Sequence, residues 1–234
     1  MLAPDLPGYG RSAPPTTYAL DPIADAVTES LEEHLSWPAT LVGTCSGAVL
    51  ATMVAQRLGA RVERLILAEP FGYAPWYFRL LASRPGRFFY GCAFETPVGR
   101  FFVDRGPSAR DSSASLSESF AATKPAVALG WLRALVQLGD VRLLPPPAVD
   151  AVHLLIAEKT FAAIETSIPM WTELLPIAIR HDVTGAGHLL LEDVPQAAAQ
   201  LLISSGTGPA AQAATRDGSR PAARRTSQRR QPAT

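Results

Sequence analysis

Leu41-Val42-Gly43-Thr44-Cys45-Ser46-Gly47-Ala48 is the stretch that decides how this chain folds. Ala39 to Val42 is a short apolar run that stops at Gly43, and it reads as a buried strand. Ala48 to Leu58 is an apolar helix that Gly59 closes as a C-cap. Between them, Gly-x-Cys-x-Gly turns the chain sharply from strand to helix. Glycines two residues before and after the centre are expected to let the backbone close there. The bend lifts the Cys45 side chain to the end of the sheet, where the helix N-terminus behind it favours developing negative charge. Alone, the motif reads equally as a glycine-rich turn with a half-buried cysteine. The flanking strand and helix turn the reading towards a nucleophile. Ser46, the rival, falls one residue late and points away. Its expected part is a backbone N–H for an oxyanion hole.

Outward from this bend, Arg64 to Glu69 is a second buried strand, so strand, helix and strand make a parallel βαβ unit of the α/β class. Upstream, Ile23, Val27 and Leu31 recur at helical spacing from Asp21 to Leu35, with Asp21 as N-cap, Pro22 in the first turn and Trp37-Pro38 as terminator. Asp5-Leu-Pro-Gly-Tyr-Gly-Arg-Ser12 is loop, punctuated too densely by Pro and Gly for anything else. Downstream, an aromatic region of short helical pieces ends at Pro145-Pro146-Pro147. Val152 to Ala157 resumes the strand pattern, a helix follows around Ser167 to Leu175, and Ala178 to Val183 is the last core strand. Gly185-Ala-Gly187-His188 is a turn, and Val194 to Ile203 closes the fold as a helix with Pro195 in its first turn. The expected division is 1–70 core with the Cys45 bend, 71–148 helical cap, 149–203 core with the His188 turn, and 204–234 tail. The tail sets Arg216, Arg220, Arg224, Arg225, Arg229 and Arg230 against Asp217 alone, lacks apolar residues, and is expected to be disordered.

Bulk properties exclude rather than choose. The 234 residues, 47% of them hydrophobic, suffice for one domain with an inserted subdomain. Twenty-one basic and 21 acidic residues cancel, so no overall field draws the chain to nucleic acid or an anionic membrane. No apolar run is long enough to span a bilayer. Two cysteines, Cys45 and Cys92, make no disulfide framework, and the Met1 segment has no signal-peptide pattern, so a cytoplasmic location is expected. His34, His153 and His181 have no ligand-like spacing, and no metal is expected. Cys92 reads as a cap core residue.

Asp5-x-Pro7-Gly8-x-Gly10-x-Ser12, the Gly43–Gly47 bend and Gly185-x-Gly187-His188 together resemble the three signature segments of the α/β-hydrolase superfamily, in order, from Met1 to about Ile203. The resemblance implies a mostly parallel sheet flanked by helices, with a helical cap insertion. It makes Cys45 the nucleophile, in the place of the usual serine, and His188 the base. A cysteine there is similar to dienelactone hydrolases and polyhydroxyalkanoate synthases, without a close match to either.

Two departures follow from the resemblance. The family's acid lies shortly after the penultimate strand, where this chain has Ala157-Glu158-Lys159-Thr160, and threonine cannot hold a charge against an imidazolium. Some relatives, such as one branch of the haloalkane dehalogenases, supply it one strand earlier, at the position of Glu69. A carboxylate ending a buried strand is costly without a partner. Glu69 is therefore the first choice and Glu158 the second. The family's first three strands and its second oxyanion N–H would lie upstream of Asp5. The strand ending at Gly43 is then expected to present a raw edge, and one lost oxyanion donor costs about 3 kcal/mol of transition-state stabilisation. That implies a fragment, for example from a wrongly chosen start codon, or a pseudo-enzyme.

The function expected is hydrolysis of a small, hydrophobic ester or thioester by Cys45, His188 and Glu69, with Ser46 holding the oxyanion and no cofactor. Two alternatives stay open. One is an acyltransferase using the same Cys–His pair. The other is a catalytically dead remnant that serves as a binding module.

Overall fold

A computed structural model of the chain describes residues 2–104 and 116–204. The expectation of a disordered tail falls on 204–234 and so lies outside the described residues, Ser204 excepted.

Four strands form one parallel sheet, β1 (Ala39–Thr44), β2 (Val62–Ala68), β3 (Ala151–Lys159) and β4 (Ile179–Gly187), laid side by side in chain order. The fold is α/β, as the βαβ pattern predicts. Period-two alternation divides β2 between two faces. Leu65 and Leu67 point into the larger core, while Ile66 and Ala68 point into a smaller one on the opposite face. Helix α1 (Leu20–His34), helix α2 (Gly47–Leu58) and, after β3, a helix spanning Ala162–Leu174 supply the larger core. On the far side, Leu190 and Ala198 cover the smaller one. No strand flanks β1 on its outer side among the described residues, and Val42 there is 42% exposed.

Five helices connect β2 to β3: α3 (Trp76–Ala82), α4 (Gly86–Tyr90), α5 (Pro97–Asp104), α6 (Leu116–Ala121) and α7 (Pro125–Leu138). Their small core gathers Tyr90, Phe94, Leu129 and Leu132, and the Tyr90 hydroxyl donates to the Phe120 carbonyl at 2.6 Å. The connection from β3 to β4 is α8 (Ala162–Leu174). After β4 come α9 (Leu190–Asp193) and α10 (Pro195–Ser204). No helix of the described residues is long and apolar enough to cross a membrane.

Several boundaries differ from the sequence reading. Ala19, not Asp21, is the N-cap of α1, without a side-chain cap bond. Asp21 instead pairs with Arg57 of α2 at 3.0 Å, beside Asp25 at 2.6 Å, so its charge joins two helices rather than ending one. Strand β4 does not stop at Val183. A register shift lets Lys159 pair with Gly187, and the ladder continues through the glycines. Two carboxylates hold it there: Glu158 accepts from the Gly185 N–H and Asp193 from the Gly187 N–H, each at 2.8 Å.

Candidate active site

Cys45 follows the last residue of β1 with φ 55°, in the left-handed region that a side chain disfavours. The bend stays tied to the sheet because the Cys45 N–H donates to the Ala68 carbonyl at 2.9 Å. The two flanking glycines do different jobs, which corrects the sequence reading. A Cβ on Gly43 would meet the Ala51 Cβ at 2.7 Å and the Ala48 Cα at 2.8 Å, so only glycine lets the strand end press on α2. A Cβ on Gly47 would meet nothing within 4 Å. The strain that the turn requires is borne by Cys45 itself.

Glu69 ends β2 in the same way, with φ 51°, and its N–H donates to the Leu155 carbonyl at 2.9 Å. Its side chain is 1% exposed and fully engaged. The Ala157 N–H donates to Oε1 at 2.7 Å, the Thr160 hydroxyl donates to Oε2, and His188 Nδ1 lies 3.2 Å from Oε2. A buried carboxylate is tolerable when its lone pairs are met in this way. Glu158, the second candidate acid, is exposed and committed to Gly185. Thr160 cannot itself serve as the acid, yet its hydroxyl anchors the carboxylate that meets His188.

His188 leaves the end of β4 directly, and it packs between Phe161 and Phe71, whose ring centroids lie at 4.5 and 5.8 Å. Burial pulls its pKa down. The adjacent Cys45 sulfur, through charge and a hydrogen bond, together with Glu69, outweighs burial and raises the value to about 9. His188 thus has two electrostatic partners, the Cys45 sulfur and the Glu69 carboxylate, and the contact with Glu69 is made through Nδ1. Nδ1 faces Glu69, which leaves Nε2 for the sulfur.

Cys45 and His188 open onto a cavity of about 680 Å³ walled by Phe71, Phe78, Leu81, Phe94, Leu132 and Phe161. Among the described residues, His188 is the one titratable nitrogen on that wall. Tyr77 and Cys92 also line it. Cys92, expected in the cap core, is exposed and faces the cavity instead. Burial, then Tyr73 and Cys45, push the Tyr77 phenol to about 12, so it stays a neutral donor. Ser46 does not line this space. It borders a separate small cavity of about 20 Å³ with Phe71 and Gly72.

The Asp5 segment is a compact turn. Gly10 has φ 50°, and a Cβ there would lie 2.3 Å from the Asp5 carboxyl, which accepts from the Arg11 N–H at 3.0 Å. The Trp131 indole donates to the Pro7 carbonyl at 3.1 Å, fixing the turn to α7. His153 and His181, unpaired in sequence, lie on neighbouring strands with their ring nitrogens 2.9 Å apart. Among the described residues, no three His, Cys, Asp or Glu side chains gather to hold a metal.

The family model described as "Alpha/beta hydrolase family" matches residues 1–201. A curated relative, abhydrolase domain-containing protein abhd-5.2 of Caenorhabditis elegans, is 38% identical over 116 residues, covering 44% of this chain. That match spans 26% of the relative, about a quarter of its length. Among solved structures, a thermophilic esterase from Thermogutta terrifontis is similar with TM-score 0.62 and 20% identity, over 86% of this chain and 79% of that one. A bromoperoxidase from Bacillus anthracis is similar with TM-score 0.61 and 16% identity, over the same shares. At such identities the likeness is one of fold.

Proposed function

The chain belongs to the α/β hydrolase family, and from that premise we propose that it hydrolyses small, hydrophobic esters or thioesters through Cys45, His188 and Glu69. The observation that carries the reading is that Glu69 binds His188 Nδ1 while His188 and Cys45 line the same cavity. The esterase among the structural neighbours is in keeping with it.

His188 Nε2 takes the thiol proton and the sulfur attacks the substrate carbonyl carbon. The carbonyl oxygen gains the displaced electron pair, and the Ser46 N–H at the start of α2 stabilises it. Collapse breaks the bond to the alcohol or thiol, which leaves with the proton from His188. Water then gives a proton to His188, attacks the thioester and releases the acid, and the sulfur recovers its proton. Glu69 keeps the imidazole in the tautomer and orientation that this needs. Its acceptors are already engaged by Ala157 and Thr160, so it does not swing away. The apolar cavity receives the acyl group.

A chromogenic short-chain ester followed by intact-mass spectrometry tests the proposal. The expected result is a burst of chromophore with one acyl group on Cys45, both absent in Cys45→Ala. Turnover that survives Cys45→Ala, or a folded wild-type protein that forms no acyl adduct, would overturn it.

A further inference from the structure

The region between Trp76 and Asp104 keeps large apolar side chains in water. Trp76, Phe88, Val98 and Phe102 are 74%, 69%, 67% and 68% exposed, and neither α3 nor α5 has a buried residue. On α5, Val98 and Phe102 stand four residues apart, on one side of the helix, and both are largely exposed. This surface is continuous with the cavity, because Trp76, Leu80 and Phe102 are exposed at the rim and also line the interior. Exposed apolar side chains gathered at a cavity mouth mark a contact site.

The charges beside it decide what kind. Arg79, Arg84, Arg87 and Arg100 stand within a few residues of the exposed aromatics, against Glu95 and Asp104 in the same stretch. Glu95 is paired with Arg87, and Asp104 accepts from Ser117. The stretch therefore has a net positive charge although the chain as a whole is neutral, and Arg79 and Arg100 also donate to the Ala74 and Phe94 carbonyls. Aromatic and aliphatic side chains interleaved with arginines fit the boundary between lipid headgroups and acyl chains. There the rings enter and the guanidinium groups stay at headgroup level.

We propose that this rim docks on an anionic phospholipid surface, with the cavity mouth facing the lipid. A hydrophobic substrate can then pass from the lipid to the cavity without crossing water. The balanced charge of the whole chain gives no sign of this, because the positive surpluses of the 76–104 stretch and of the 204–234 tail are cancelled by acids elsewhere. The docking does not depend on the Cys45 chemistry, so Cys45→Ala serves as a separate arm.

The test is co-sedimentation of the full chain with vesicles of phosphatidylcholine and of phosphatidylcholine with phosphatidylserine. Wild type and Cys45→Ala are expected to bind the anionic vesicles equally. Phe88→Ser with Val98→Ser, neither of which lines the cavity, is expected to weaken binding roughly tenfold or more. Arg84→Glu is expected to weaken binding to the anionic vesicles alone, by roughly tenfold. Far-ultraviolet circular dichroism and a cooperative thermal melt close to that of wild type are expected for these variants, which show them folded. Absence of wild-type binding to either vesicle, or binding indifferent to all these substitutions, overturns the proposal. So does a wild-type oligomer that Phe88→Ser with Val98→Ser converts to monomer without altering vesicle binding, since the rim would then cover a second copy of the chain.

Discussion

Cys45 and Glu69 end neighbouring parallel strands in the same left-handed backbone conformation, and among the described residues no other non-glycine does so. Each keeps its N–H in the ladder, Cys45 to Ala68 and Glu69 to Leu155. The sheet thus directs a sulfur and a carboxylate from one end of adjacent strands, at a local cost of about 1–2 kcal/mol per residue. Strain of this kind persists where surrounding structure over-determines it. Replacing Cys45 by glycine relieves it, and replacing it by alanine does not, while both remove the thiol. Cys45→Gly is expected to be more stable than Cys45→Ala by roughly 0.5–1 kcal/mol, the left-handed penalty less glycine's extra entropy loss. Urea denaturation of the two variants measures the difference, and an advantage for alanine would refute the strain argument.

The two glycines of the bend give opposite expectations. Gly43→Ala forces a methyl group against the Ala51 side chain and the α2 backbone at 2.7–2.8 Å. A contact with backbone cannot be relieved by a rotamer change, so a loss of about 1–3 kcal/mol is expected. Gly47→Ala places its methyl in open space on the first turn of α2, and is expected to be neutral or stabilising by up to about 1 kcal/mol. Thermal melts of the pair check this contrast.

Sequence reasoning reached what local pattern and cost can show. Buried apolar runs marked the first three strands, and the expense of a carboxylate ending one of them singled out Glu69. It missed what depends on neighbouring chain ends. Thr160 looked like a missing acid because its residue type was visible and its position beside the end of β2 was not. The Gly185–Gly187 segment looked like a turn, because the pairing of Lys159 with Gly187 and the carboxylates of Glu158 and Asp193 that extend β4 are tertiary. Cys92 looked like core because spacing alone does not say which face of the cap meets the cavity.

The donors to Glu69 can be removed one at a time. Thr160→Val keeps the shape and deletes the hydroxyl, leaving the carboxylate with the Ala157 N–H and His188. A cost of about 1–3 kcal/mol in stability is expected, because the acceptor it abandons is buried. Glu69→Gln keeps the volume and removes the charge that holds His188. Its expected effect on kcat is a loss of roughly 10³–10⁴-fold, with KM little changed. A Glu69→Gln enzyme as fast as wild type would remove Glu69 from the proposed mechanism.

His188 gives a pH dependence whose sign is set by its environment. Its pKa rises from 6.5 to about 9, since the Cys45 sulfur and Glu69 together outweigh burial. A group raised on folding contributes stability that is fully present below its unfolded value and is lost as pH climbs through the folded one. The stability gap between wild type and His188→Gln is therefore expected to be widest below pH 6.5 and to close as pH passes about 9. In the proposed reaction the same proton is handed to the leaving group, so the acylation rate is expected to fall over the alkaline limb, centred near pH 9. Burst rates and melting temperatures measured across that range in parallel should show both transitions together, because one imidazolium loses one proton. A rate that climbs through pH 9 while stability falls would mean that His188 acts only as a base, with the leaving group protonated from elsewhere.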